Sequence, residues 1–249
     1  MTNALPLSEE TRDRLTRAST ASIATILHKH GLRNQYVQGV KMIGSDDRVM
    51  VGPAFTLRYI PAREDIDTVS VFQDPKHPQR VAVEEVPPGH VLVMDCRQDA
   101  SAASGGSILF TRLDVRGCAG VVTDAGVRDA AAIGELAMPC FAACASAPTN
   151  LSRHHAVDIN VPIGCGGAPV YPGDIMLGDA DGVIVIPAHL VDDIAKEVEP
   201  MEAFEDFALR EVRAGRPVIG TYPANDATLE RYAAYNRGEY VPEQSGPAV

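Results

Sequence analysis

The sequence predicts an α/β domain built around a largely parallel sheet. Three short apolar runs, at residues 91–94, 119–122 and 140–143, recur in the middle of the chain. A helical pattern follows each of the first two runs, at residues 108–116 and at about 127–136. Short buried strands that alternate with helices are typical of βαβ units, whose strands lie parallel.

The segments on either side extend this core. Ser8 is a favourable helix cap and opens a helical pattern that ends at Gly31, whereas residues 49–60 alternate like a strand. Residues 61–88 are charged and rich in proline, so they are expected to form a loop with a short helix. The last third of the chain predicts a mixed or antiparallel β region and then a long acidic amphipathic helix. The bounds expected for these elements are 157–161, 168–171, 174–177 and 183–186 for the strands and 187–214 for the helix.

Length and charge limit the possible function classes. The chain has 249 residues, of which 45% are apolar and 22% are charged, as in a folded domain. One domain over residues 1–249 is therefore expected, with residues 215–249 as a tail that packs on its own chain or on a neighbouring copy. A net charge of -11 disfavours nucleic acid and anionic membranes as partners. An anionic ligand would need a local positive site.

The sequence also predicts a cytoplasmic protein without a membrane partner. No apolar run approaches the ~20 residues that a membrane helix needs. The first residues lack the basic and apolar regions of a signal peptide. The five cysteines form no Cys-x-x-Cys pair, and they are interpreted as buried thiols.

The clearest local signal is the segment DAGVRD, which ends in Arg128 and Asp129. An apolar strand ends here and a helix begins, so both side chains are expected at the carboxyl edge of the sheet, where open α/β sheets bind ligands. A guanidinium binds a carboxylate or a keto oxygen through its planar fork, and a carboxylate can hold Mg²⁺. The alternative is that both residues are ordinary charges of the first helical turn.

A glycine-rich turn provides the second signal. Backbone N–H groups at a helix start suit a carboxylate or a phosphate, although such turns are also common without any ligand. Because this turn and the Arg-Asp pair follow adjacent predicted parallel strands, both are expected at the same end of the sheet. The residues of the turn are Gly105, Gly106, Ser107, Ile108 and Leu109.

Several blocks of the sequence together resemble the RraA-like family, which includes the 4-hydroxy-4-methyl-2-oxoglutarate and 4-carboxy-4-hydroxy-2-oxoadipate aldolases. The first block runs from Gly105 to Asp129 and contains the patterns GxxGVV and DxGVRD. Two further blocks lie at residues 166–174 and 178–187. The order and spacing of these blocks make the resemblance specific, and it extends from about residue 15 to about residue 215.

The resemblance implies a layered, swivelling β/β/α-type single domain with N- and C-terminal helices. It implies a homotrimer or homohexamer with active sites between copies. It also implies a divalent-metal enzyme that cleaves or decarboxylates a small 2-oxo acid through a pyruvate enolate. The expected reactions are the retro-aldol cleavage of a 4-hydroxy-2-oxo acid and the decarboxylation of oxaloacetate.

Carried onto this chain, the resemblance makes Arg128 the ligand of the keto oxygen and Asp129 the anchor of Mg²⁺ or Mn²⁺. The N–H groups of residues 106–109 would hold the substrate carboxylate. On the C-terminal helix, Glu202 or Glu205 would reach the metal site of a neighbouring copy.

Ser107 departs from the pattern, because the aldolases of the family usually carry Asp at this position. A shorter, neutral side chain would hold a metal-bound water less strongly. Two alternatives therefore stay open beside the lyase. One is a non-catalytic RraA-type regulator that acts by protein contact, and the other is an enzyme acting on another enolisable sugar-acid derivative.

The lysines disfavour the other common aldolase mechanism. Imine-forming aldolases need a desolvated lysine at the reacting centre. The four lysines of this chain lie in polar stretches away from both turns: Lys29, Lys41, Lys76 and Lys196. A metal ion with Arg128 beside it is the better electron sink. The sequence therefore predicts a class II, divalent-metal pyruvate aldolase or oxo-acid decarboxylase.

Overall fold

The computed structural model describes residues 7–44 and 48–242. The chain divides into two compact units, residues 1–195 and 196–249. The division falls inside the long C-terminal helix and not at residue 215, where the tail was expected to begin. One domain over the whole chain stays a prediction.

The described part of unit one is an α/β structure, as predicted. Its strands are β1 (Tyr36–Val37), β2 (Lys41–Met42), β3 (Met50–Pro61), β4 (Val91–Asp95), β5 (Gly120–Val127), β6 (Cys140–Ala145), β7 (His154–Ile159), β8 (Ile175–Asp179) and β9 (Gly182–Ile186). Its helices are α1 (Glu9–Thr16), α2 (Thr20–Lys29), α3 (Pro78–Glu85), α4 (Ser107–Val115) and α5 (Ala130–Gly134). Helix α6 (Val191–Arg213) begins in unit one and continues into unit two.

The long strand β3 belongs to two sheets. Its first residues, 50–53, pair antiparallel with β8, and residues 54–58 pair parallel with β4. Its end pairs antiparallel with β7. Strands β4, β5 and β6 continue in parallel, which confirms the predicted parallel core.

Both faces of the parallel strands are buried. On β4, Leu92 and Met94 pack in a core shared with helices α3, α4 and α5. The alternate residues Val91 and Val93 pack in a second core with residues of β1, β8 and β9. Burial on both faces explains why these strands are continuous apolar runs in the sequence. The result is the layered β/β/α arrangement expected from the resemblance.

The N-terminal helical pattern forms two helices where one was expected. The Ser8 hydroxyl accepts the N–H of Thr11 and caps α1. The Ser19 hydroxyl accepts the N–H of Ser22 in the same way and starts α2. A second N-cap in the middle of an apolar pattern therefore ends the first helix and begins another.

Two other expected elements differ from the structure. Residues 168–171 form no strand and contribute only an isolated bridge between Ile163 and Val170. The helix expected at 127–136 is reduced to α5, because Val127 is completely buried and pairs with Ala145 as the end of β5. Strand β5 therefore continues to Val127, where the sequence pattern indicated the start of a helix, and the β-branched side chain of Val127 favours this extended conformation.

Most of the cysteines are buried, as the sequence predicted. All five cysteines lie in the described part of the chain and are free thiols. Four are buried as expected, whereas Cys144 is exposed.

Along residues 7–44 and 48–242, no helix combines the length and the apolar character needed to cross a bilayer.

Unit two contains the rest of α6 and α7 (Asp226–Asn236), a helix that the sequence analysis did not predict. The side chain of Asn225 accepts the N–H of Thr228 and caps α7. Phe207 is completely buried, with ring centroids 5.2 Å from those of Tyr232 and Tyr235. These tyrosines therefore pack on their own chain.

A buried carboxylate joins the loops of unit one. Asp124 on β5 is 3% exposed and accepts three backbone N–H groups. The donors are Cys96 at 2.6 Å, Gln98 at 3.0 Å and Gly166 at 3.1 Å. Burial raises the pKa of Asp124, while the three N–H groups act in the opposite direction.

We expect Asp124→Asn to lower the free energy of unfolding by about 1–3 kcal/mol, measured by urea denaturation. The amide supplies one acceptor oxygen, but its NH₂ group would face a backbone N–H that then lacks an acceptor. The matched control is Asp158→Asn, because Asp158 is half-exposed and pairs with Arg58. The control should cost less than about 1 kcal/mol, and equal losses for the two variants would contradict the structural role of Asp124.

Candidate active site

Unit one contains a cavity of about 240 Å³ at the carboxyl ends of the parallel strands. Its lining comes from four segments, within residues 72–80, 103–109, 128–129 and 149–150. The last three of these follow β4, β5 and β6, at the sheet edge where open α/β folds bind ligands. A cavity of this size can hold a small metabolite.

The structure brings the two turns singled out in the sequence together. The N–H of Arg128 donates to the carbonyl oxygen of Gly105 at 2.9 Å. The hydroxyl and the N–H of Ser107 both donate to the carboxylate of Asp129. The predicted residues that line the cavity are Gly105, Gly106, Ile108, Leu109, Arg128 and Asp129.

Asp129 has an unusual backbone conformation. Strand β5 ends at Val127, and Asp129 caps the short helix α5 with φ 60° and ψ 40°, in the left-handed region. Asp is among the few non-glycine residues that adopt this conformation readily. The sequence placed Asp129 at the edge of the sheet, but no pattern indicated this backbone geometry.

The Asp129 carboxylate lies at the start of α4. Its Oδ2 accepts the hydroxyl of Ser107 at 3.0 Å and the Ser107 N–H at 3.3 Å. The negative charge is therefore at the positive end of the α4 dipole. One N–H group of the predicted carboxylate-binding turn is thus bonded to the protein's own carboxylate. Binding of a substrate carboxylate by residues 106–109 stays a prediction.

The glycines of the turn are required by close packing. A Cβ atom on Gly106 would lie 3.1 Å from Oδ2 of Asp129 and 3.3 Å from Cβ of Arg128. A Cβ atom on Gly105 would lie 2.8 Å from Cε1 of Phe110. A side chain at residue 106 would therefore press on the Arg128–Asp129 turn, and one at residue 105 would displace the Phe110 ring of α4.

The lysines are placed as the sequence indicated. All four belong to the described part of the chain and are exposed, and the cavity lining contains none of them. The cavity therefore lacks the desolvated lysine that an imine mechanism requires.

Within one copy of the chain, the donor set for a metal is small. The described residues contain no group of three or more His, Cys, Asp or Glu side chains that could hold an ion. The cavity offers the carboxylate of Asp129, with the Ser107 hydroxyl beside it. Mg²⁺ commonly keeps several waters and binds one or two carboxylates together with substrate oxygens, so these residues are compatible with it.

The other predicted metal ligands belong to unit two. Glu202 and Glu205 lie on α6, and Glu205 accepts a hydrogen bond from the Tyr222 hydroxyl at 2.6 Å. The contribution of either glutamate to a neighbouring copy stays a prediction, as does a trimeric or hexameric assembly.

Sequence reasoning missed six residues of the cavity lining: Phe72, Gln79, Arg80, Ala103, Thr149 and Asn150. The first three belong to residues 61–88, which were expected to form a loop with a short helix, and Asn150 follows β6 in a short 3₁₀ helix. None of them lies in the blocks that carry the family resemblance, and no local motif marks them. Their presence in the cavity depends on tertiary packing.

Comparisons with known proteins agree with this arrangement. A model of the RraA-like family, described as Aldolase/RraA, matches residues 20–185. A Halalkalibacterium halodurans protein named "Putative 4-hydroxy-4-methyl-2-oxoglutarate aldolase" is 32% identical over 184 residues, which cover 74% of this chain and 80% of that protein. The 4-hydroxy-4-methyl-2-oxoglutarate aldolase of Thermus thermophilus is 30% identical over 122 residues, which cover 49% of this chain and 73% of the enzyme.

A solved structure is similar over most of the chain. The crystal structure of Streptomyces coelicolor RraAS2, described as an unusual member of the RNase ES inhibitor RraA protein family, matches with a TM-score of 0.71 and 29% identity. The match covers 82% of this chain and 98% of that one. Similarity therefore extends to proteins named as aldolases and to one named as a member of an RNase-inhibitor family.

We expect Ser107→Asp to bind Mn²⁺ at least about tenfold more tightly than the wild-type chain, measured by calorimetry. Two carboxylates would then face each other about 3 Å apart, and a cation between them would relieve several kcal/mol of repulsion. Ser107→Asn is the matched control, since it has the shape of Asp without the charge. Equal Mn²⁺ affinity in all three proteins would mean that residue 107 does not adjoin the metal position.

Proposed function

Because the chain belongs to the RraA-like family, we propose that it is a carbon–carbon lyase that acts on a small 2-oxo acid with Mg²⁺ or Mn²⁺. One observation carries the proposal: Arg128, Asp129 and the first turn of α4 border a single small cavity that contains no lysine. The similarity to proteins named as 4-hydroxy-4-methyl-2-oxoglutarate aldolases supports the same reaction class.

Arg128 binds the reacting end of the substrate. Its side chain is exposed to the cavity, and its guanidinium forms no ion pair with a carboxylate of the described residues. A planar fork of N–H donors can hold the keto oxygen. The N–H groups of residues 106 and 108 can hold the adjacent carboxylate, since those of Ser107 and Leu109 already donate to Asp129 and to the Gly106 carbonyl oxygen. The 2-oxo acid group is then fixed at both of its oxygen-bearing carbons.

Both expected reactions pass through one anion. In retro-aldol cleavage the 4-hydroxyl loses its proton, the C3–C4 bond breaks, and its electron pair forms the pyruvate enolate. In oxaloacetate decarboxylation the bond to the departing carboxylate breaks instead, and CO₂ leaves. In each case negative charge develops on the keto oxygen, where Arg128 stabilises it. Protonation at C3 then yields pyruvate.

Asp129 is the residue that would hold the divalent ion. An ion there would supply Lewis-acid polarisation of the substrate oxygens. The hydroxyl and N–H of Ser107 fix the orientation of the Asp129 carboxylate. Glu202 or Glu205 of a second copy would complete the site in a trimer or hexamer, and one of these glutamates is the expected second carboxylate ligand.

Two observations favour a second candidate function. Ser107 is neutral where aldolases of the family usually have Asp, and the RraAS2 protein is described as a member of an RNase inhibitor family. A non-catalytic regulator that acts by protein contact would explain both facts. An enzyme acting on another enolisable sugar-acid derivative would keep the cavity and change the substrate.

Pyruvate release tests the lyase. We expect turnover of oxaloacetate or of 4-hydroxy-4-methyl-2-oxoglutarate with Mg²⁺ or Mn²⁺, and loss of turnover with a chelator. Arg128→Gln removes the donor that faces the enolate oxygen, so kcat should fall by about 10² or more. Asp129→Asn should lower the apparent affinity for the metal and reduce turnover at limiting metal.

Arg237→Gln is the matched control, because Arg237 is an exposed arginine outside the cavity lining that pairs with Glu239. It should keep wild-type kinetics. Absence of pyruvate release from both substrates with both metals would reject the lyase and favour the regulator. Turnover that survives in Arg128→Gln would reject the role of Arg128.

A further inference from the structure

The cavity contains a second arginine to which the reaction above assigns no role. Arg80 lies on α3, and its guanidinium carbon is 4.5 Å from the ring centroid of Phe72. Both residues line the cavity. A guanidinium stacked on an aromatic ring is held in place while its N–H groups remain available at the edge.

The helical neighbour that would normally neutralise Arg80 is engaged elsewhere. Glu84 is four residues further along α3, a spacing that favours an ion pair with Arg80. Its carboxylate instead pairs with Arg112 of α4 at 2.8 Å and lies 3.9 Å from Arg116. Among the described residues, Arg80 has no carboxylate partner.

The cavity therefore has two arginines, Arg80 and Arg128, without acidic partners in the described structure. The chain as a whole has a net charge of -11, so acidic side chains are plentiful. The cavity also contains the Asp129 carboxylate, which the proposed function assigns to the divalent ion, so the two unpaired guanidinium groups in this cavity of about 240 Å³ make a local positive site inside an acidic protein. The complement of such a site is a ligand with two negative groups.

The neighbouring residue fixes the position of Arg80 relative to the glycine turn. Gln79 is 2% exposed, and its Nε2 donates to the carbonyl oxygen of Ser104 at 2.7 Å. Ser104 directly precedes the Gly105–Gly106 turn. The start of α3 is thus bonded to the segment that forms the other wall of the cavity.

A further polar group in the lining lacks a partner. Asn150 is 5% exposed, and its Nδ2 has no acceptor among the residues that the structure describes. A buried amide without an acceptor is unfavourable, so an acceptor supplied by a ligand would stabilise it. An anionic group in this part of the cavity has the required oxygen atoms.

We propose that Arg80, stacked on Phe72, is a specificity-determining residue that binds a second anionic group of the substrate, with Asn150 as an additional donor. The inference rests on the proposed function, which places the 2-oxo acid group at Arg128. The substrate class is then a 2-oxo acid with a second carboxylate or a phosphate. A substrate with one acid group would leave the Arg80 guanidinium without a counter-charge and should bind more weakly.

Binding to inert ligands tests the inference apart from turnover. 2-Oxoglutarate has two carboxylates but neither a 4-hydroxyl nor a carboxylate on C3, so it undergoes neither expected reaction. The 5-methyl ester of 2-oxoglutarate has the same carbon chain and keto acid group with a neutral ester at the far end. We expect calorimetry to show at least about tenfold tighter binding of 2-oxoglutarate to the wild-type chain.

Arg80→Gln should remove this preference by weakening only 2-oxoglutarate, so that the two affinities agree within about threefold. Arg80→Lys keeps the charge without the planar fork and should retain part of the preference. Phe72→Leu should weaken 2-oxoglutarate roughly two- to fivefold through loss of the stacked ring. Arg237→Gln is the matched control, because Arg237 is exposed, pairs with Glu239 and lies outside the cavity lining, so it should bind both ligands like the wild type. Thermal unfolding of each variant establishes that it is folded.

A phosphonate analogue, 4-phosphono-2-oxobutyrate, distinguishes the two kinds of anionic group. Tighter binding of the phosphonate than of 2-oxoglutarate would support a phosphate, and the reverse order a carboxylate. A preference that persists in folded Arg80→Gln, or no preference in the wild type, would overturn the inference even if pyruvate release is observed. An intact preference without pyruvate release would instead reject the proposed function.

Discussion

The contact between Asp129 and Ser107 is the interaction on which the candidate site depends. It joins the end of β5 to the start of α4, and Gly106 between them allows the two turns to approach closely. The carboxylate is held at a helix N-terminus, where the backbone itself stabilises a negative charge. The same contact shows how this chain can keep an Asp at the family position without a second acidic residue facing it. A hydroxyl donor satisfies the carboxylate in the free protein, and a cation would have to compete with that donor.

The acidic composition of the chain is compatible with the small anionic substrate that we propose. The net charge of -11 describes the surface as a whole, whereas the cavity contains Arg80 and Arg128. The net negative charge of the chain repels polyanions such as nucleic acid, and inside the cavity the partial removal of water strengthens each charge pair. A small dianion that enters the cavity can satisfy both guanidinium groups. In the proposed function, selectivity for ligand size and selectivity for ligand charge therefore have the same structural origin.

The parts of the fold that could be predicted are those in which one physical requirement dominates. Strands β4, β5 and β6 are buried on both faces, which requires apolar side chains along each of them. Because Arg128 and Asp129 directly follow one of these apolar runs, their place at the edge of the sheet could be predicted. The break between α1 and α2 depends on a single hydroxyl of Ser19, which a periodic apolar pattern does not reveal. Arg80 could not be predicted as a cavity residue, because its position depends on a ring eight residues away and on the diversion of Glu84 to another helix. Helix α7 was missed because its apolar side is aromatic and packs on Phe204 and Phe207 rather than in the main core.

Strand β3 has a consequence for how unit one folds. One continuous segment of twelve residues supplies an edge to the antiparallel strands and the first strand of the parallel core. Neither sheet can therefore be completed while the other is absent, and the two apolar cores that share the parallel strands must form together. Such sharing favours all-or-none unfolding over the stepwise loss of one layer. The arginine-bearing edge of the sheet would then disappear in the same transition as strands β8 and β9, although no residue of those two strands lines the cavity.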